Sequence, residues 1–287
     1  MCFSKITSLR FNNINGITLD NAYDLYMREK YISFIRENDI RYIRCQDNDM
    51  SLLSYFSDIE FLTVPEDAEN IWYIENLKKL RGLEISAKFF DALDLSKLPF
   101  LENIVIFETP KRMKKLEKIP NLKQLWCVQW DIKDLMCFKL IDNNIEKLHL
   151  EFCGRLLSLI GVEYFRLLQE IEIDYCLRLK DISQLACLKS HLLHLIITDC
   201  NKINSLSSVL SELSELTLLY ITSFETQKKN SLDSLKFLDK LQKIIDFMTD
   251  YIIEDNNLIP LKKVKNVSVL NYQSSYNIKE GEINGKK

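Results

Sequence analysis

The residues of this chain best equipped for chemistry are its eight cysteines and three histidines. Cys153, Cys176 and Cys200 follow one another at nearly equal steps. Such a column of thiols invites a metal or redox reading. A structural zinc site, however, needs four groups converging on one point, and regular steps along a chain deliver a line. No two cysteines form a Cys-x-x-Cys pair either. The thiols therefore read as small, buried, reduced groups fitted against backbone carbonyls. Among the histidines, His149 can pair with Glu172 as a base, while His191 and His194 read as surface residues. No serine, threonine or cysteine nucleophile shares the surroundings of His149, so the set needed for acyl transfer is incomplete. The six glycines are scattered, and neither a dinucleotide fingerprint nor a P-loop can be written from them. No enzymatic activity, no cofactor and no metal site are expected.

The elements that position these residues must come from a soluble core. Of 287 residues 47% are hydrophobic and 28% charged, which places the chain among globular proteins. Lys and Arg number 38 against 41 Asp and Glu, a balance that predicts neither nucleic acid nor an anionic membrane as partner. There are 45 Leu and 32 Ile, yet no apolar run approaches the roughly 18 residues that span a bilayer. The first residues, Met1 to Thr7, lack the apolar stretch of a secretory signal, and with unpaired cysteines this predicts a cytoplasmic protein. An exported form already stripped of its signal is the alternative.

One phrase, apolar-x-x-apolar-x-apolar, recurs along the chain. It is written by Leu80/Leu83/Ile85, Leu101/Ile104/Ile106, Leu122/Leu125/Cys127, Ile145/Leu148/Leu150, Leu168/Ile171/Ile173, Leu192/Leu195/Ile197 and Leu216/Leu219/Ile221. Upstream, Ile6/Leu9/Phe11, Ile40/Ile43/Cys45 and Ile59/Leu62/Val64 fit. Downstream, Leu241/Ile244 fits with Asp246 breaking the third position, and Val264/Val267/Val269 restores it. That makes 12 copies, with a long first step from Ile6 to Ile40 and shorter, similar steps after it. Cys153, Cys176 and Cys200 stand at the same offset after the first apolar position of their units, each followed at i+3 by an apolar residue. Two units close on Leu98-Pro99-Phe100-Leu101 and Ile119-Pro120-Asn121-Leu122.

This pattern resembles the leucine-rich repeat. The resemblance implies an α/β fold, a right-handed solenoid (horseshoe or arc) with about 12 parallel strands on its concave face. Short helices or 3₁₀ turns would line the convex face, and no separate second domain is expected. Each x-apolar-x-apolar segment becomes a strand whose apolar residues point inward and whose alternate residues point outward. The shorter units leave little room for a convex helix. The longer ones have room, with helical spacing at 205–214 and at Leu232, Leu235 and Leu238. Residues 1–39 read as a capping unit with a helix over 19–37, 40–263 as repeats, and 264–287 as a capping strand with a loose tail.

The outward columns carry the functional expectation. The central one holds Arg10, Arg44, Thr63, Glu84, Val105, Trp126, His149, Glu172, Ile196, Tyr220, Ile245 and Ser268, and the next includes Phe107, Val128, Glu151, Asp174 and Phe247. Val105, Phe107, Trp126 and Val128 form an apolar patch joined by Phe152 and Tyr175, with Glu151, Glu172 and Asp174 beside it. Exposed aromatics flanked by charge predict a protein-binding face. The competing reading is that these aromatics only brace neighbouring strands. The expected function is a non-catalytic, monomeric solenoid that captures a protein partner, as an adaptor or a toxin-neutralising immunity protein does. The alternatives are a secreted host-directed effector and an enzyme whose chemistry lies outside the repeats.

Overall fold

The computed structural model describes residues 5–8, 14–20, 24–139, 141–223 and 230–283. The chain divides into two compact units, Met1–Val128 with Ile141–Asn144, and Gln129–Leu140 with Ile145–Lys287. Both are built from the same repeat, and among the described residues each contributes six strands to the parallel stack of the main sheet, twelve in all.

The first unit holds β1 (Lys5–Ser8), β2 (Ile14–Leu19), β3 (Tyr42–Cys45), β4 (Phe61–Thr63), β5 (Gly82–Ser86), β6 (Asn103–Phe107) and β7 (Gln124–Val128). They lie side by side in chain order. Strands β2 to β7 are parallel, and β1 pairs antiparallel with β2. The first parallel strand is therefore not the one expected around Ile6/Leu9/Phe11, a phrase whose Leu9 and Phe11 lie outside the described residues. It is Ile14/Ile17/Leu19, with Ile17 opposite Ile43 and Leu19 opposite Cys45. Counted from Ile14 instead of Ile6, the first step to Ile40 comes into line with its neighbours. Helix α1 (Leu25–Glu37) connects β2 to β3 and so belongs to the first repeat. Asp24 caps it by accepting from the Met27 amide at 2.9 Å, which satisfies one of the amides that a helix start leaves unpaired.

The second unit holds β8 (Lys147–Glu151), β9 (Glu170–Asp174), β10 (His194–Thr198), β11 (Leu218–Thr222), β13 (Asp246–Thr249) and β15 (Asn266–Val269) in one parallel sheet. A short parallel pair, β12 (Ser231–Leu232) with β14 (Ile252–Ile253), stands apart from it. Strand β13 corrects the expected register. Leu219 faces Phe247 and Ile221 faces Thr249, so the phrase is Ile244/Phe247/Thr249 and Asp246 interrupts nothing. Phe247 is buried, and the outward residues of this strand are Asp246 and Met248, not Ile245 and Phe247.

The inward columns form the core. Leu83, Ile104, Leu125, Ile171, Leu195 and Leu219 are all 0% exposed. The connecting segments are mostly 3₁₀ turns, as short units require. Three differ from expectation. A short helix, α2 (Ala87–Ala92), fits inside one of the shorter units because it starts directly at the strand end and sinks Phe89 and Phe90 into the core. Helix α3 spans only Leu206–Leu210 of the region 205–214, and the segment around Leu235 and Leu238 is a 3₁₀ turn, Lys236–Lys240. The expected loose tail instead carries a turn of helix, α4 (Glu280–Ile283), that buries Ile283. Ahead of it Tyr276 is buried, and its hydroxyl accepts from the Ile253 amide at 2.9 Å. Among the described residues no helix is long and apolar enough to cross a membrane.

Candidate functional site

The cysteine column is a ladder of thiols on carbonyls. Cys153, Cys176 and Cys200 are buried. The Cys176 thiol approaches the Leu150 and Asp174 carbonyls at 3.6 Å each, and that of Cys200 the Ile173 and Thr198 carbonyls at 3.5 and 3.3 Å. Cys153 does the same with the Glu151 carbonyl at 3.7 Å. Its ionisation is pushed up by the Cys176 thiol beside it and by burial. A thiolate there is disfavoured, and with it nucleophilic or metal-binding character. Labelling with a thiol reagent is accordingly expected to modify exposed Cys187 in the native protein and to reach Cys153, Cys176 and Cys200 only in denaturant. Mass spectrometry of the timed digest checks this, and rapid native labelling of all three would show the ladder to be open.

In the first unit the outward strand face is mixed, with an apolar cluster beside polar residues such as Arg44, Thr63 and Glu84. Tyr42, Phe61, Val105 and Val128 are buried in one cluster, with Ile14, Phe107 and Trp126 partly buried against it. The Tyr42 ring lies over Gly16, where an added Cβ would overlap a ring carbon. Only glycine permits that approach. The Tyr42 hydroxyl reaches Thr63 Oγ1 at 3.0 Å. Val105 and Val128, 1% and 2% exposed, therefore support the face from beneath. Trp126 and Phe107 share their surface between solvent and this cluster, so truncating Trp126 removes packing as well as exposed area. Of the basic residues noted in the first repeats, Arg10 lies outside the described residues. Arg41 pairs with Asp39 at 3.0 Å and Glu60 at 3.3 Å, and Arg44 is exposed.

In the second unit the outward face is acidic and aromatic. Parallel pairing sets His149 opposite Glu172 and Glu151 opposite Asp174. His149, 5% exposed, sits between two carboxylates, with Nε2 2.9 Å from Asp174 Oδ2 and Nδ1 3.3 Å from Glu172 Oε2. Burial pushes the Glu172 carboxyl up to about 7 against the pull of His149, with Asp174 and Glu170 adding to the rise. Glu170 itself is held below its ordinary value: burial opposes this, but His194 and Lys147, each 3.0 Å away, outweigh it. His194 is thus half-buried, with Nδ1 against Glu170. Tyr220 is half-buried on β11, beside Ile196 and Met248.

Phe152 and Tyr175 stand at the strand ends. Their rings stack at 4.7 Å between centroids and 16° between planes, yet they stay 45% and 37% exposed. Both have left-handed backbones, φ 53° each, a conformation shared by Glu108, Gln129 and Asp199 at the same place in their repeats. The reason is a hydrogen-bond ladder. Each of these residues turns its amide to the carbonyl that ends the following strand, Phe152 to Asp174 and Tyr175 to Thr198 at 3.0 Å each. Such a position favours Asn or Gly, and bulky rings there cost free energy. The strand phrase places the two aromatics next to each other but gives no sign of this backbone. The burial of Tyr42 and Phe61 in the outward cluster of the first unit was likewise missed, though both stand in one outward column, at the first strand position.

Parallel strands stacked in register, an all-apolar inward face, short turns closing each unit and a buried thiol column define the leucine-rich repeat fold. No family model matches the chain. Over 96 residues, 31% of this chain and 22% of the other, it is 38% identical to a probable disease resistance protein of Arabidopsis thaliana. Among solved structures it is similar to TLR13 in a complex with ssRNA13, with a TM-score of 0.55 and 16% identity over 82% of this chain and 36% of that one. The leucine-rich repeat domain of the type III effector XopL aligns at a TM-score of 0.37 and 17% identity, covering 74% of this chain and 70% of that domain. The chain thus spans about a fifth of the plant protein and about a third of TLR13.

Proposed function

We propose that the chain is a non-catalytic protein-binding module. Its docking surface is the outward strand face of the second unit, centred on Phe152 and Tyr175 and flanked by Glu151, Glu172, Asp174 and Tyr220. The observation that carries this reading is the exposed aromatic stack on a left-handed backbone. Two large rings are kept in water at positions where a small polar residue would cost less, and strain of this kind collects at functional sites. Aromatic area with charge at its side gives an interface burial and orientation together. In the first unit, taken by itself, Phe107 and Trp126 are partly buried against the cluster that holds Val105 and Val128. TLR13 is seen with a single-stranded RNA, but the carboxylates of this face would repel phosphate. A monomeric adaptor or immunity protein acting in the cytoplasm fits these features, and the buried reduced thiols agree with that compartment.

The test is a photocrosslinking amino acid, p-benzoylphenylalanine, placed at Phe152, at Tyr175 and, as a control, at Phe100, which is 58% exposed. A discrete protein adduct from the first two sites, and none from the third, is expected. Tyr175→Asn should abolish the adduct formed from Phe152 while changing stability by less than about 1 kcal/mol, because asparagine suits the left-handed backbone as it removes the stack. Equal adducts from Phe100, or none from either aromatic site, would move the docking surface elsewhere.

A further inference from the structure

We infer that His149, Glu172 and Asp174 form a binding site for one divalent transition-metal ion, with zinc the best match to the donors. The inference does not rest on the docking reading, although Glu172 and Asp174 also flank the proposed docking surface. The three groups belong to two adjacent strands: His149 and Glu172 are cross-strand partners in β8 and β9, and Asp174 follows at the next outward position of β9, on the same face. One ligand atom from each lies within 4.8 Å of the other two. A zinc ion sits about 2.0 to 2.2 Å from nitrogen and oxygen donors, so its ligands stand roughly 3 to 3.5 Å apart. Asp174 and Glu172 now face different nitrogens of the His149 ring, so binding one ion requires the side chains to rotate until a single ring nitrogen and both carboxylates converge.

The donor set selects the ion. One imidazole and two carboxylates suit zinc and its transition-metal neighbours, whereas calcium takes six to eight oxygens and magnesium keeps most of its water. The exposures define an entry path. The His149 side chain is 6% exposed, Asp174 16% and Glu172 29%, so the ion enters past Glu172 and keeps a water on that side. Apart from the His149 ring, no cationic side chain among the described residues meets the two carboxylates, while Lys147 and His194 are engaged by Glu170. Asp174 Oδ1 is buried and makes no hydrogen bond among the described residues. A buried carboxylate oxygen of this kind is satisfied by a metal as well as by a proton donor.

Tag-free protein stripped with a chelator and titrated with zinc chloride by calorimetry tests the site. One zinc per chain is expected, with a dissociation constant of about 10 μM or below and weakening of roughly tenfold or more in Asp174→Asn and in Glu172→Gln. Both replacements preserve shape, and circular dichroism reports whether the fold is kept. X-ray absorption of the zinc-loaded wild-type protein provides a readout that needs no variant. It should show nitrogen and oxygen neighbours including one imidazole, and no sulfur. Absence of stoichiometric binding at about 100 μM zinc, unchanged affinity in the two folded variants, or a sulfur shell that places the metal on cysteines would each overturn the assignment.

Discussion

Ile171→Asp is expected to unfold the second unit. Ile171 is 0% exposed and lies between Leu148 on β8 and Leu195 on β10, which are buried as it is. A carboxylate there has no partner and no water, and its burial should cost more than about 4 kcal/mol, most of what a domain of this size has to spare. Repeats stabilise one another through their immediate neighbours, so the loss spreads to adjoining strands. Trp130 is the probe: it lies in the second unit and is 1% exposed, while the other two tryptophans, Trp72 and Trp126, lie in the first. With those two replaced by phenylalanine, Ile171→Asp should shift Trp130 emission to the red and lower the β signal in circular dichroism. The matching control is Ile196→Lys, on the outward column beside Glu172, which should cost no more than about 1 kcal/mol. Native emission in Ile171→Asp, or equal damage from both, would refute the assignment of inward and outward columns.

Trp130→Ala is expected to cost about 3 to 5 kcal/mol, the usual loss when a buried indole leaves a cavity. The Trp130 ring stacks on Phe138 at 6.1 Å and 6°, and Phe138 packs on Phe165 at 4.6 Å. Phe138 and Phe165 are both 0% exposed, so the three rings form one buried aromatic cluster. Backbone relaxation cannot close a gap of that size between fixed repeats. Urea unfolding followed by circular dichroism should show the midpoint fall steeply for Trp130→Ala and much less for Trp130→Phe, which keeps the stack. A stability within about 0.5 kcal/mol of wild type would mean that the aromatic core contributes nothing specific.

The two units differ in how far their outward faces follow from sequence. In the second, Glu172 and Asp174 are predicted to be outward and acidic, and they are half-buried on the outward face. In the first, Val105 and Val128 occupy outward positions and are nevertheless buried, in one apolar cluster with Tyr42 and Phe61. Alternation along a strand is local, and any strand phrase reveals it. Whether an outward residue meets water depends on side chains from other repeats, distant in the chain, that share its face.

The sequence by itself determined the repeat, ten of the twelve strands of the parallel stack with their inward columns, and the buried thiol ladder. All of these follow from one period, since equal steps along the chain become equal heights in the stack. Only the tertiary structure decided the rest. Strand β13 sits later in the chain than the apolar phrase suggested, because Phe247 and Thr249 fill the inward slots that Ile244 and Asp246 could not fill together. The first parallel strand is Ile14–Leu19, because Ile17 and Leu19 meet Ile43 and Cys45 in register. Phe152 and Tyr175 adopt a left-handed backbone because their amides must reach the next strand. His149 stands a whole repeat before Glu172 and Asp174 in the sequence, and the three become neighbours because parallel pairing places β8 and β9 side by side. A spacing of one repeat matches no ligand motif read along one chain, and only the lateral register of the sheet turns it into a cluster.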